Sequence, residues 1–219
     1  MKNALLFDMD GVTLDTEPLY SAAEIRLFSE YGVQIPDDDL SLYRGCSEND
    51  FYTLSMKKYG IKEDRGSFIQ KGREYVRDEF RNNISYMDGF KSLHNLALSS
   101  NFFIGLVTAS PRRTVEWISG KINLNYYFTY IISGDDVLNN KPHPEPYLTM
   151  MKIANVQPIN TVIIEDSDFG ISSALSSGAH VIAKRGSIPD NLLQKAHRIV
   201  TNLDEITLQL LEDLLQELI

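Results

Sequence analysis

The chain has 219 residues, 43% of them hydrophobic, and a formal net charge of −9 at pH 7. This length suits one elaborated domain or two modest ones, and the acidic balance excludes a nucleic-acid surface, because phosphate backbones are bound by clustered Lys and Arg. Cys46 is the only cysteine, which excludes an intrachain disulfide, and the apolar N-terminal stretch is too short for a signal peptide or a membrane span, so we expect a soluble, cytoplasmic protein.

The first predicted element is a buried strand, Ala4 to Phe7, that ends in a polar turn. Asp8 and Asp10 follow directly, and at this spacing two carboxylates project to the same side of an extended chain. Such a pair can hold a divalent cation and divide nucleophilic and acid/base work between its members. The alternative is an acidic turn that caps the next helix. A calcium loop fits badly, because Gly11 stands too early in the sequence.

A long segment without a strand candidate follows, and its pattern indicates an inserted helical module. It predicts four helices, at Pro18 to Tyr31, Pro36 to Tyr43, Glu48 to Tyr59 and Ser67 to Phe80. Ser47 and Ser67 are the expected N-caps of the last two helices. The first helix carries an apolar stripe at helical spacing, formed by Leu19, Ala22, Ala23 and Leu27. We therefore predict a helical cap domain at residues 16–83, placed over the end of a sheet.

Short apolar strands alternate with helices in the second half. The predicted strands are Phe102 to Val107, Tyr130 to Ser133, Thr161 to Ile164, His180 to Ala183 and Arg198 to Thr201. The helices between them include Pro111 to Ile122, Pro144 to Ala154 and Gly170 to Ser177. This alternation predicts an α/β fold with a doubly wound parallel sheet, formed by residues 1–15 and 84–219. The amphipathic segment Leu203 to Leu218 is expected to pack on the sheet of a monomer, or alternatively to form a dimer.

Polar residues stand at the carboxyl end of each central strand, where doubly wound sheets bind their ligands. The first strand delivers Asp8 and Asp10, and the later ones deliver Thr108-Ala109-Ser110, Lys141-Pro142-His143-Pro144 and Glu165-Asp166-Ser167. Together these segments predict a carboxylate nucleophile, a hydroxyl group, an ammonium group and an acidic metal-ligand pair at one edge.

In this combination and order, the motifs resemble those of the haloacid dehalogenase superfamily of phosphotransferases, in its branch with an α-helical cap. The resemblance covers nearly the whole chain, and Asp15-Thr16-Glu17 is similar to the family's hinge into the cap. Two positions depart from the family pattern: Glu145 stands where Asp is commoner, and Asn140 where Gly is usual. Neither position carries chemistry in the family.

Phosphoryl transfer needs an in-line nucleophile, charge neutralisation and a proton for the leaving group. We expect Asp8 to form an aspartyl-phosphate and Asp10 to act as general acid and base. Mg²⁺ is the expected cofactor, held by Asp8, the backbone carbonyl of Asp10 and Asp166, with Glu165 in the second shell or bound to the metal through a water. Lys141 and Thr108 would stabilise the oxygens of the transferring phosphoryl group.

Four classes of function are compared, of which three stay open. A dehalogenase would not need Asp10, since halide leaves without a proton. A mutase of the β-phosphoglucomutase kind, which resembles this chain in all core motifs, grips a second phosphate with a His and an Arg of the cap; Tyr20 and Glu48 stand at the corresponding positions. We therefore expect a phosphatase that acts on a small phosphorylated metabolite, such as a sugar phosphate or phosphoglycolate, with a mutase as the alternative and a non-catalytic binding protein as the third hypothesis.

The expected substrate contacts come from two places. Thr108, Ala109 and Ser110 stand at the end of the second strand, and Arg44 and Tyr20 belong to the cap. A simple helix-capping role is the alternative for Thr108, and for Ser110 it is the commoner of the two roles. The remaining cap cations, Lys57, Lys58, Arg73 and Arg77, are expected to be solvated. Other residues are given structural roles: Asp135 and Asp136 in a turn, Cys46 as a buried, inert thiol, and His94, His180 and His197 as structural or exposed.

Overall fold

Six parallel strands form one sheet at the centre of the molecule, which a computed structural model describes at residues 2–36, 39–40 and 43–217. The strands are β1 Ala4–Phe7, β2 Phe103–Val107, β3 Tyr130–Ile132, β4 Thr161–Glu165, β5 His180–Lys184 and β6 Arg198–Val200. Their order across the sheet is β3-β2-β1-β4-β5-β6. The predicted α/β fold is confirmed, and every predicted strand is present with its ends shifted by no more than one residue.

Helices connect these strands and fill the long segment after β1. They are α1 Glu17–Ser29, α2 Glu48–Tyr59, α3 Arg65–Asn83, α4 Phe90–Ser99, α5 Arg112–Ile122, α6 Glu145–Ala154, α7 Asp168–Ser176, α8 Asp190–Leu193 and α9 Leu208–Gln216. Within the described ranges, none of these helices is long and apolar enough to cross a membrane.

Apolar residues on both faces of the central strands hold the sheet in place. In β1, Leu5 and Phe7 belong to one hydrophobic cluster, whereas Ala4 and Leu6 belong to another. Successive side chains of a strand point to opposite faces, so one fully buried strand supplies both cores. β1 pairs with β2 on one side and β4 on the other. The chain changes direction across the sheet at this point, which opens a crevice beyond the carboxyl ends of β1 and β4.

Helices α1, α2 and α3 share a separate hydrophobic cluster around Leu27, Phe28, Tyr52 and Phe68. Ser47 caps α2 as predicted, because its side chain accepts a hydrogen bond from the Asp50 amide. The predicted cap Ser67 is wrong: Asp64 accepts from the Ser67 amide at 3.0 Å, so α3 begins earlier and contains Ser67 in its first turn. The predicted helix from Pro36 to Tyr43 includes residues 37–38 and 41–42, which lie outside the described residues.

Three further expectations need correction. Ala22 of the predicted apolar stripe is exposed, whereas Glu24 on the same helix is buried opposite Arg44. Helix α4 was missing from the sequence prediction, although it buries an apolar face against β2. The amphipathic segment Leu203 to Leu218 is not one continuous helix: within the described residues it is broken into a short 3₁₀ turn and α9, because Thr207 caps a new helix with its hydroxyl group.

Candidate active site

The ends of β1, β2 and β4 meet helices α1 to α3 around a cavity of about 150 Å³. From the sheet side, the cavity is lined by Asp8, Asp10, Thr108, Ala109, Ser110 and Asp166, and from the helical side by residues that include Tyr20 and Arg44. Lys141 and Glu165 do not line the cavity but lie buried behind Asp8. All predicted site residues are therefore gathered in one region of the molecule.

Lys141 is buried between two carboxylates. Its Nζ lies 2.5 Å from Asp8 Oδ1 and 2.6 Å from Glu165 Oε1, and it donates to the Val107 carbonyl at 3.0 Å. Burial alone would lower the pKa of Lys141, but the attraction of both carboxylates outweighs it and raises that pKa above its usual value. Tyr147 donates a further hydrogen bond to Glu165 Oε1. The ammonium group is therefore charged and fixes the Asp8 side chain.

Three buried carboxylates could hold a metal ion. Asp8, Glu165 and Asp166 each offer an oxygen, and these atoms lie within 4.8 Å of one another. Burial raises the pKa of Asp8 and of Asp166 well above the ordinary value, and neighbouring acidic groups add to the effect. An all-oxygen site in which three carboxylates face a single ammonium group, that of Lys141, suits a hard divalent cation.

A glycine makes room for one of these carboxylates. Gly11 has a φ of +73°, and a Cβ atom at this position would lie 1.7 Å from Asp166 Oδ2. Only glycine avoids that overlap, and it also tolerates the left-handed backbone. Ser187 donates to the same Asp166 oxygen. The position of Asp166 is thus set by a residue on each side, which supports its predicted role as a metal ligand.

Two hydroxyl groups hold Asp10 at the rim of the site. Thr16 donates to Oδ1 at 2.7 Å and Ser110 donates to Oδ2 at 3.1 Å. Burial raises the pKa of Asp10, although both hydrogen bonds oppose the shift. The capping alternative for Ser110 is wrong, because Pro111 occupies the N-cap position of α5. Thr108 is buried, and its hydroxyl accepts from the Ser110 amide at 3.0 Å.

The two positions that depart from the family pattern stabilise the loop before Lys141. Asn140 donates from its side-chain amide to the Ala109 carbonyl at 3.2 Å. The Glu145 carboxylate accepts from the backbone amides of Leu138 and Asn139 at 2.8 and 3.0 Å. Both side chains therefore support the geometry of the site without facing the cavity.

Arg44 lines the cavity, but its guanidinium group is already bound by acidic neighbours. It forms an ion pair with Glu17, lies 3.4 Å from Glu24 Oε2, and donates to Ser21 Oγ at 2.6 Å. Burial raises the pKa of both glutamates to about 7. Tyr20 packs edge-on against Phe80 at 4.9 Å. A substrate contact by Arg44 or Tyr20 stays a prediction.

The prediction that Arg73 is a solvated cation is wrong. Its guanidinium donates two hydrogen bonds to Glu48, at 2.9 and 2.7 Å, and Arg113 of α5 pairs with the same carboxylate. Both arginines line the cavity. Arg113 was not among the predicted site residues, although it lies four residues before Trp117 on the same face of α5, and both line the cavity. That periodicity was the one available indication.

The other structural roles are largely as expected. Asp136 accepts from the Ser133 amide at 2.7 Å, and Asp135 from the Arg112 amide at 2.8 Å, so both brace a turn. Lys58 pairs with Asp39 at 2.6 Å. Cys46 is half-buried rather than buried, and burial raises the pKa of its thiol to about 12, which makes it unreactive.

Fold and site together define an α/β protein with an acidic, cation-compatible site at the switch point of a parallel sheet. A family model described as haloacid dehalogenase-like hydrolase matches residues 5–184, and the chain belongs to this family. The similarity implied by the motifs is therefore confirmed.

Characterised relatives cover most of the chain. A phosphorylated carbohydrates phosphatase of Thermotoga maritima is 32% identical over 175 residues, which is 80% of this chain and 81% of that protein. A fructose-1-phosphate phosphatase of Escherichia coli is 27% identical over 184 residues, or 83% of this chain and 95% of that protein.

Among solved structures, a candidate β-phosphoglucomutase of Thermotoga maritima is 31% identical, with a TM-score of 0.75 over 97% of this chain and 99% of that one. A β-phosphoglucomutase of Clostridium difficile is 24% identical, with a TM-score of 0.82 over 98% of this chain and 97% of that one, and shows the shared fold alone.

Proposed function

We propose that the protein is a magnesium-dependent phosphatase that hydrolyses a small phosphorylated sugar through an aspartyl-phosphate intermediate. The observation that carries this proposal is the position of Asp8, which is fixed by Lys141 and lies beside Asp10 on the wall of one cavity. The family and the phosphatase relatives support a phosphoric monoester hydrolase.

Asp8 is the nucleophile. Lys141 binds one carboxylate oxygen, Oδ1, so the other oxygen is the one that attacks phosphorus in line with the leaving group. The ammonium group also offsets the repulsion between this carboxylate and an anionic substrate. Thr108 and Ala109 at the end of β2, which both line the cavity, would orient the phosphoryl oxygens. Hydrolysis of the aspartyl-phosphate then releases inorganic phosphate and restores Asp8.

Asp10 transfers the protons. Because burial raises its pKa, a protonated fraction is available to donate to the leaving oxygen. The resulting carboxylate then accepts a proton from the attacking water. Thr16 and Ser110 hold each of its oxygens in place, which keeps the group oriented in both steps.

Asp8, Asp166 and the backbone carbonyl of Asp10 would hold Mg²⁺, which supplies positive charge at the transferring phosphoryl group when bound. Glu165 belongs to the surrounding shell. Its Oε1 accepts from Lys141 and Tyr147, and its Oε2 accepts from the Asp166 amide at 3.3 Å. Its carboxylate therefore orients its neighbours.

Residues 16–83 form the cap domain, and residues 1–15 and 84–219 form the catalytic domain. The separate hydrophobic cluster of α1 to α3 supports this division. The cap covers the site during catalysis and excludes water. A cytoplasmic location and a monomeric state stay predictions from the sequence.

A panel of phosphorylated sugars and phosphoglycolate, assayed for phosphate release with Mg²⁺, tests the function. We expect release to stop in excess chelator, and Asp8→Asn to lower kcat by at least about a thousandfold with an unchanged circular dichroism spectrum. Beryllofluoride should bind the wild type and protect it from heat.

The mutase alternative predicts a different product. Glucose 1-phosphate with a bisphosphate primer would then yield glucose 6-phosphate in place of inorganic phosphate. Efficient formation of that isomer would contradict the phosphatase function, and full activity of Asp8→Asn would contradict the covalent mechanism.

A further inference from the structure

The Glu48 carboxylate lies between two arginines, Arg73 and Arg113, on the wall of the cavity. Arg73 binds both oxygens of Glu48, at 2.9 and 2.7 Å, and the Arg113 guanidinium pairs with Oε2. The Glu48 side chain is only 22% exposed. Burial alone would raise the pKa of Glu48, but the two arginines outweigh burial and lower it. Glu48 is therefore ionised at neutral pH and remains bound.

The three residues come from three different helices. Glu48 begins α2, Arg73 lies on α3, and Arg113 lies on α5 next to the end of β2. For the part of the chain that the structure describes, the Glu48–Arg113 contact is the single ion pair that joins residues 16–83 to the remainder. The pairing thus forms where the two parts of the molecule meet.

Two converging guanidinium groups are the arrangement that proteins use to bind a carboxylate or a phosphate. Here both cations line the cavity that also contains Asp8. A substrate whose phosphate faces Asp8 would therefore extend toward Arg73 and Arg113. Glu48 already takes the place that a second anionic group of that substrate would need.

We propose that Glu48 is a specificity-determining residue that fills this two-arginine site from within, so that the enzyme accepts phosphate monoesters whose remaining part is uncharged and rejects those with a second anion. This inference rests on the proposed phosphatase function and narrows its substrate class. Two guanidinium groups and one carboxylate leave the cluster with a formal charge of +1. Rejection of a second anion therefore does not come from net repulsion by this cluster.

Rejection comes from the cost of displacement. A second phosphate could bind the arginines only by pushing Glu48 aside, which would leave a partly buried carboxylate unpaired and break the contact between α2 and α5. A hydroxyl group has no such requirement, because it can donate to the Glu48 carboxylate while both ion pairs persist. The site thus favours a polyol end over an anionic end.

Fructose 1-phosphate and fructose 1,6-bisphosphate form a suitable ligand pair, since they differ only by a second phosphate. Glu48→Gln keeps the side-chain shape and removes the charge. Asp78→Asn is the matched control, because Asp78 also pairs with an arginine, Arg26, but at 3.5 Å and with a side chain that is 46% exposed. Dissociation constants are measured by calorimetry in the inactive Asp8→Asn background, and kcat/KM with an intact Asp8.

We expect Glu48→Gln to strengthen binding of the bisphosphate relative to the monophosphate, so that the ratio of the two dissociation constants changes by roughly tenfold or more. The variant removes the one negative charge that the second phosphate would otherwise have to displace. The ratio of kcat/KM values should move in the same direction, and Asp78→Asn should leave both ratios unchanged. A ratio that stays constant in Glu48→Gln, even if both ligands bind less tightly, would overturn the proposal, as would a wild type that prefers the bisphosphate.

The binding measurement separates this inference from the proposed function. If no variant with an intact Asp8 releases phosphate, the phosphatase function fails, yet the ratio of dissociation constants still decides the role of Glu48. If phosphate is released but the ratio does not move, the function stands and the role of Glu48 is refuted.

Discussion

Replacing Lys141 with methionine tests whether its two buried ion pairs stabilise the folded protein. In the wild type, Nζ lies 2.5 Å from Asp8 and 2.6 Å from Glu165, and the Lys141 side chain is 1% exposed. Lys141→Met keeps much of the side-chain volume but leaves two carboxylates without their cation. Removing one partner of a buried pair lowers the free energy of unfolding by about 3–5 kcal/mol.

Lys195→Met is the matched control. Lys195 lies 2.6 Å from Asp168, but the two side chains are 47% and 39% exposed. An exposed pair contributes at most about 1 kcal/mol, because water already screens both charges. The distances are nearly the same, so the comparison isolates the effect of burial.

Urea denaturation in chelator gives the free energies of unfolding. We expect the free energy lost in Lys141→Met to become smaller as the pH falls, because the unpaired Asp8 can then be protonated. In a second measurement with saturating magnesium instead of chelator, the loss should also be smaller, because the divalent cation replaces part of the lost positive charge. If Lys141→Met costs no more than Lys195→Met at neutral pH, the buried ion pairs do not stabilise the fold as described.

Two further predictions concern Gly11 and Glu24. Gly11→Ala should weaken magnesium binding by roughly tenfold or more in calorimetry, because its Cβ would overlap with Asp166 and displace that ligand. Gly32→Ala shares the positive φ, at +70°, but its Cβ would have no neighbour within 4 Å, so equal weakening in both variants would contradict the steric explanation. Glu24→Gln should gain stability relative to the wild type as the pH rises from 5 to 8. Burial raises the folded-state pKa of Glu24 to about 7, above its pKa in the unfolded chain. The wild type therefore loses up to about 3 kcal/mol of its free energy of unfolding as the pH rises through this range. A pH-independent difference in urea denaturation between the two proteins would refute that origin.

The sheet and its catalytic edge could be predicted because their determinants are local. An apolar run such as Ala4 to Phe7 indicates a buried strand by itself, and the carboxylates that follow it are placed by the strand's end. Parallel pairing then brings distant strand ends together without further information. Helix boundaries were less predictable where two capping residues compete, as Asp64 and Ser67 do at the start of α3.

The helical wall of the cavity follows different physics. Glu48 pairs with Arg73, which lies 25 residues further along the chain, and with Arg113, which lies 65 residues further along. These pairs are therefore determined by the packing of α2, α3 and α5. A charged residue on an amphipathic helix has the same sequence pattern whether it faces water or another helix. The pattern therefore predicts a solvated Arg73 and does not indicate that Glu24 is buried.

This difference also explains why the reaction is easier to infer than the substrate. The groups proposed for chemistry lie at strand ends, where Asp8, Asp10 and Asp166 are fixed by the backbone of the sheet. The groups proposed for selectivity are ion pairs between helices, and exchanging one of them changes the charge at the far end of the cavity without disturbing the sheet. A change in these helices could therefore alter the accepted phosphorylated compound while the strand-end residues stay the same. For this chain, the charge of the substrate's distal end is decided at Glu48, Arg73 and Arg113.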